Sequence, residues 1–247
     1  MSQSMFKAVS VSALRGFVLL GLAFGLVACG HGTKSERLAQ AVRAAMASGP
    51  SESAFDKLGE EFDQLAYECD RVLTIPSCQS PEFVEVKKWA LNEMSGMLLA
   101  GAERGEAWAI LRLFSLGRGD VVTPALRLKA AVLILEAAKR DDASAAALLQ
   151  AGRMYTNGTF TQQDFTLARA SLEKAWQKGA VSAAGNLAAL AEINQDFATA
   201  YLWAVRCVNP CAAGRTLDAF LKPLTPEEVA RIQKVARDHS VLTISYR

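Results

Sequence analysis

Apolar and polar positions alternate at helical spacing through most of the chain, and small residues recur where two helices would touch. A capping-box spacing at Thr33 and Glu36, with Ser35 as a competing cap, opens a helical pattern that runs to Ser48 and stops at Gly49-Pro50. A second pattern starts near Ser51 or Ser53. Its apolar stripe is Ala54, Phe55, Leu58, Phe62, Leu65, Ala66 and Cys69, and the acidic run Glu60, Glu61, Asp63, Glu68, Asp70 falls largely off it, as a solvated face would. Ser80 and Pro81 supply an N-cap and N1 for a third helix carrying Val84, Trp89, Leu91, Met94 and Leu98, which ends around 101–105.

From residue 106 the pattern acquires a period. A first unit over 106–142 has Ala107, Phe114, Gly117 and Gly119, a loop closed by Thr123-Pro124, then Ala130, Ala137 and Ala138. A second over 145–179 has Ala147, Ala151, Gly152, Tyr155 and Gly158, then Asp164, Ala168, Lys174, Ala175 and Gly179. A third over 180–208 has Ala183, Leu187 and Ala191 before Asn194, then Asp196-Phe197, Ala200 and Trp203. The three differ mainly in loop length, as expected where both helix faces are constrained by neighbouring units. Small residues let antiparallel helices approach, and glycines release the chain at helix ends.

This order of residues resembles the Sel1-like repeat, a relative of the tetratricopeptide repeat. The second unit carries the resemblance best, through Gly152, Tyr155, Gly158, Asp164, Ala168, Lys174, Ala175 and Gly179. Three departures stand out. Phe160 replaces the second loop glycine, Ala191 replaces an aromatic, and Asp141-Asp142 stand where the first unit should close with glycine. The resemblance implies an all-α fold: a short α-solenoid of antiparallel helix pairs whose first helices line a surface that holds other proteins. Residues 36–105 form an N-terminal helical region in which Ala102 and Gly105 resemble the close of a degenerate repeat. Aligning the first two units makes Arg112 and Arg153 equivalent on the first helices. Trp108, Gln150 and Asn186 fall near the same face, so these five are the candidate partner-binding residues.

Residues 209–247 read as a C-terminal cap. A short helix from Pro210 or Cys211 to Leu221 bears Leu217 and Phe220. Thr225-Pro226-Glu227-Glu228 then opens an amphipathic helix with Val229, Ile232, Val235 and Ala236 on one stripe. The tail 241–247 alternates apolar and polar residues, consistent either with a strand at an edge or with a segment lying along the array.

The first 28 residues have the three parts of a secretory signal: Lys7 and Arg15, an apolar run of about 11 residues over Phe17–Val27, and a small-residue close. That run is well short of the ~20 residues a spanning helix needs. Leu26-Val27-Ala28-Cys29 resembles the lipobox of bacterial lipoproteins, which implies cleavage before Cys29, its acylation, and a tether over 29–35. Several acyl chains at about 0.8 kcal/mol per buried methylene anchor a protein essentially permanently. Gly30, rather than Asp, after the cysteine implies an outer-membrane address facing the periplasm. In that oxidising compartment Cys69, Cys78, Cys207 and Cys211 can pair. Local pairing is the most economical of the three connectivities, and a zinc site would need different spacing.

Removal of the signal takes Lys7 and Arg15 with it and leaves 25 basic against 25 acidic side chains, so no basic excess points to nucleic acid. His31 and His239 are the only histidines, and neither falls within the repeats, which leaves no evident base for a nucleophilic triad. Gly117-Arg118-Gly119 lacks the preceding strand of a phosphate loop. The expectation is a non-catalytic envelope scaffold without cofactor, metal or small-molecule substrate, anchored by its N-terminal lipid and binding envelope proteins. Two other readings stay open. Some cysteine-rich Sel1-like proteins are linked to β-lactam binding, which admits an envelope enzyme or wall-binding protein, although Ser144 and Ser182 lack a lysine three residues on. The other is a purely structural outer-membrane tether.

Overall fold

The structure is a computed structural model that describes residues 33–70, 78–115, 119–207 and 217–245. The signal, Cys29, Cys211 and the Gly117-Arg118 part of the first loop lie outside the described residues.

Helix α1 (Lys34–Ser48) begins with the capping box expected at Thr33 and Glu36: Glu36 N donates to Thr33 Oγ1 at 3.2 Å, and Thr33 N donates to Glu36 Oε2 at 2.7 Å. It buries Leu38, Val42 and Ala45 against α2 (Glu52–Asp70), whose buried side chains include Ala54, Phe55, Leu58, Phe62 and Leu65 of the expected stripe. Helix α3 (Pro81–Glu103) packs on both and also on the next two helices. Val84, at the start of α3, points outward and is 48% exposed; Phe83 faces the core instead.

The remaining helices follow as pairs. They are α4 (Ala107–Phe114) with α5 (Pro124–Lys139), α6 (Ala145–Asn157) with α7 (Phe165–Gln177), and α8 (Ala183–Ile193) with α9 (Phe197–Arg206). Each second helix packs on the next first helix, and first helices touch one another from α4 to α6 to α8. Together with α10 (Leu217–Leu221) and α11 (Pro226–Val235), these make an all-α, solenoid-like stack with an N-terminal helical region and a C-terminal cap. No strand occurs among the described residues.

The packing follows from the small residues. A Cβ added at Gly152 would lie 2.6 Å from Leu172 Cγ, so α6 and α7 approach as closely as they do only because position 152 has none. Helix α6 also joins two cores: Ala147 and Met154 belong with the N-terminal helices, Leu148 with the C-terminal ones. Helix ends obey the same economy. Helices α3 and α7 both close in a Schellman motif, at Gly105 (φ 72°) and Gly179 (φ 90°). In the first, Glu106 N donates to Gly101 O at 2.8 Å; in the second, Ala180 N donates to Ala175 O at 2.9 Å. Helices α3 and α7 thus end in the same way. Helix α5 instead ends in extended backbone at Arg140, before the two aspartates that stand in place of glycine. Ser144, which caps α6 by accepting from Ala147 N, donates its hydroxyl to the Gly105 carbonyl and ties one repeat's start to an earlier helix's end.

Cys69 and Cys78 form the expected local disulfide, with Cα atoms 5.7 Å apart. Lys34 Nζ lies 3.7 Å from Cys78 Sγ and 3.4 Å from Glu68 Oε2, so the bridge is held against the start of α1. Cys207 is also disulfide-bonded.

Arg206 fastens the C-terminal cap. Its side chain, 6% exposed, donates from Nε to Ala236 O at 3.0 Å, from Nη1 to Val241 O at 2.6 Å, and from Nη2 to Asp238 O. Its cation lies 4.8 Å from the centre of the Trp203 ring and 5.7 Å from that of Trp176, on which His239 stacks. Ile244 N donates to Thr199 Oγ1 at 2.9 Å, so the tail lies along α9 rather than pairing as a strand.

Candidate functional site

The candidate partner-binding residues divide into two environments on either side of α4. Arg112, near its C-terminal end, reaches α2: Nη2 meets Asp56 Oδ1 at 2.7 Å and Nη1 meets Glu52 Oε1 at 3.0 Å. The guanidinium also lies over Phe55 and Trp108, 5.4 and 5.6 Å from the ring centres. Trp108 in turn donates Nε1–H to Glu106 Oε2 at 2.7 Å, and Arg104 pairs with the same carboxylate at 2.9 Å. The Arg104 hydrogen bond, helped by Trp108 and opposed by burial, holds the Glu106 carboxyl below its usual range. Trp108 and Arg112 therefore belong to a network that fixes α4 against α2 and the end of α3.

Arg153 occupies the equivalent place on α6 and has no such partner. Among the described residues it makes no ion pair and no hydrogen bond. It is half-buried, and burial alone pulls its guanidinium below the ordinary arginine range. The side chain lines a pocket of about 340 Å³ with Gln150, Met154 and Asn157 of α6, Phe114 and Ser115 from the end of α4, Arg127 of α5, and Thr159 and Phe160 of the following loop. Among the described residues the lining holds two arginines and no carboxylate. Arg127 uses Nε to donate to the Leu113 carbonyl at 2.9 Å, which fixes its fork at the pocket wall.

The loop that closes this pocket is held in an uncommon backbone. Phe160, where the repeat pattern has glycine, sits at φ 68°. A bulky residue in the left-handed region costs about 1–2 kcal/mol. Its ring meets Phe114 edge-on, with centroids 5.8 Å apart, and forms an aromatic wall beside the arginines. Gly158 (φ 66°) ends α6, Asp164 N donates to Tyr155 O at 3.0 Å, and Asp164 caps α7 by accepting from Thr166 N and Leu167 N, both at 2.9 Å. Ala168 and Ala175 are fully buried on α7, so the repeat-pattern residues hold the frame of this loop.

Gln150 and Arg153 are brought together as the sequence pattern expects. Asn186 lies one repeat further on, in α8, where its amide donates to the Ser182 carbonyl at 2.8 Å. Arg127, Ser115, Asn157 and Phe160 are pocket residues that the sequence pattern does not single out. Phe160 carried the one available signal, a large residue at a glycine position.

A third serine, in α7, differs from Ser144 and Ser182. Ser171 does have a lysine three residues on, Lys174, the spacing of serine acyl enzymes. Both lie within α7, where Ser171 is half-buried, Lys174 is exposed, and no hydrogen bond joins them. Among the described residues no three His, Cys, Asp or Glu side chains cluster as a metal site would require, and no helix is long and apolar enough to cross a membrane.

Comparison with family models, with curated proteins and with solved structures finds no match to this chain.

Proposed function

We propose that this chain is a lipid-anchored scaffold of the bacterial envelope, a Sel1-like array that binds other envelope proteins and performs no catalysis. The observation that carries the reading is Arg153: a half-buried cation with no internal partner, in a concave pocket on the face of the first helices. Uncompensated charge is costly to hold in a fold, and such residues are drawn from binding surfaces more than from cores. The lipobox-like Leu26–Cys29 supports the anchor, with Cys29 as the acylated residue, the outer membrane as the address and the periplasm as the compartment. The Cys69–Cys78 disulfide suits that oxidising side. Crosslinking in intact envelopes followed by mass spectrometry should recover protein partners; recovery of none would remove the scaffold reading. Incorporation of labelled palmitate that is lost in Cys29→Ala tests the anchor independently.

Ser171-x-x-Lys174 favours one second reading, a penicillin-interacting envelope protein. Covalent labelling of Ser171 by a fluorescent β-lactam would establish it and end the non-catalytic one.

A further inference from the structure

We infer that the pocket between α4, α5 and α6 is a receptor for an acidic side chain presented by an extended peptide, with Arg153 and Arg127 holding the carboxylate and Phe114 and Phe160 holding an apolar neighbour. This identifies the ligand class of the surface proposed above and rests on that reading.

Four observations converge. Arg153 and Arg127 bring two guanidinium groups to one cavity whose lining has no acid among the described residues, a balance that an incoming anion would complete. The equivalent Arg112 shows the completed state: its two carboxylates, at 2.7 and 3.0 Å, come from α2, whereas α4, which stands before α6 as α2 stands before α4, brings Phe114 and Ser115 to Arg153. Beside the arginines stand an aromatic pair and Met154, so charge and apolar area are offered together. The amides of Gln150 and Asn157 are bonded to no protein group among the described residues and can serve a peptide backbone. At about 340 Å³ the cavity sits at the small end of ligand pockets, suited to a side chain or two rather than a large cofactor. Free phosphate would find the arginines but leave the aromatic wall and the amides unused, which is why a peptide carboxylate fits better. The left-handed backbone at Phe160 fixes the ring at the pocket mouth at a cost in stability, as strained residues at binding sites do.

The test is a titration of the purified full-length chain with a blocked, fluorescein-labelled tetrapeptide alternating phenylalanine and glutamate. Its glutamine counterpart and inorganic phosphate serve as comparison probes. Saturable binding is expected, with the glutamine peptide about tenfold weaker or worse, and with phosphate displacing the acidic peptide only at far higher concentration. Arg153→Gln should weaken binding about tenfold, Arg153→Lys less, and Lys88→Gln on another face not at all. Ser115→Asp, which builds a carboxylate into the wall, is a second variant and should block the peptide equally. Unaltered binding in Arg153→Gln, equal binding of the glutamine peptide, or equal competition by phosphate would each overturn the assignment. Envelope crosslinks to the unaltered chain, alongside a peptide that fails to bind that same chain, would leave the scaffold standing and remove the pocket. No crosslinked partner even with the unaltered chain would remove the scaffold itself.

Discussion

Arg112 and Arg153 occupy the same place in consecutive helix pairs, yet one is built into the fold and the other is left over. Arg112 has an earlier helix to lean on: α2 supplies Glu52 and Asp56, and Phe55 and Trp108 supply ring faces. Arg153 has only α4 and α5 before it, and the side chains they offer are Phe114, Ser115 and a second arginine. A repeat copies positions but not surroundings. The same residue type is structural where the previous element supplies countercharge and available for binding where it does not.

The comparison can be broken by substitution. Arg206 marks the upper end of what an internally bonded arginine contributes. Arg206→Met would strand three carbonyls at the C-terminal cap and should destabilise by about 2–4 kcal/mol, read as the largest fall in denaturant midpoint of the series. Arg112→Gln comes next, at about 1–2 kcal/mol, reduced because Glu52 and Asp56 are half exposed and screened. A loss no greater than that of Arg153→Gln would erase the distinction between the two sites. Ser115→Asp transplants a countercharge to Arg153 and should raise stability by about 0.5–1 kcal/mol in low salt, the gain shrinking in high salt.

A carboxyl offers the converse case. Burial pushes Glu173 above the usual carboxylate range, with Arg169 only partly opposing it. Because its folded pKa is raised, the native state binds the proton more tightly than the unfolded state does. Stability therefore declines as pH rises from the unfolded value of 4.5 through the raised folded one. Glu173→Gln should melt higher than the parent at neutral pH and no higher below that value. The smallest effect belongs to Arg153→Gln, expected within about 0.5 kcal/mol of the parent in thermal melts, since no described protein group loses a partner.

Much of the fold was legible because it rests on local rules. The capping residues Thr33, Ser80, Thr123, Asp164 and Thr225 all appear where their spacing placed them, and Gly152 marks a close helix approach. The helix pairs followed from the recurring small residues. The site was legible only in part. Arg153 and Gln150 could be aligned by repeat, but the opposite fates of Arg112 and Arg153 depend on α2, whose Glu52 and Asp56 lie 60 and 56 residues before Arg112 and are invisible to any periodicity. Arg127 and Phe114 join the pocket through the packing of α4, α5 and α6, which a pattern within one helix does not encode. Phe160 was visible as a departure, but that its ring would turn onto Phe114 required the left-handed backbone to be seen. The tail was ambiguous between strand and strap because its alternation serves both; the bond from Ile244 to Thr199 decides it.

A stack of helix pairs has no inherent length, since each pair exposes a face that would accept another. Arg206 covers one such face in this one. It gathers the carbonyls of Ala236, Asp238 and Val241 and so lays the segment that follows α11 over the last described pair. The apolar packing of Phe220 and Ile232 on the last pair shares that work, so the same face is covered by carbon and locked by one cation.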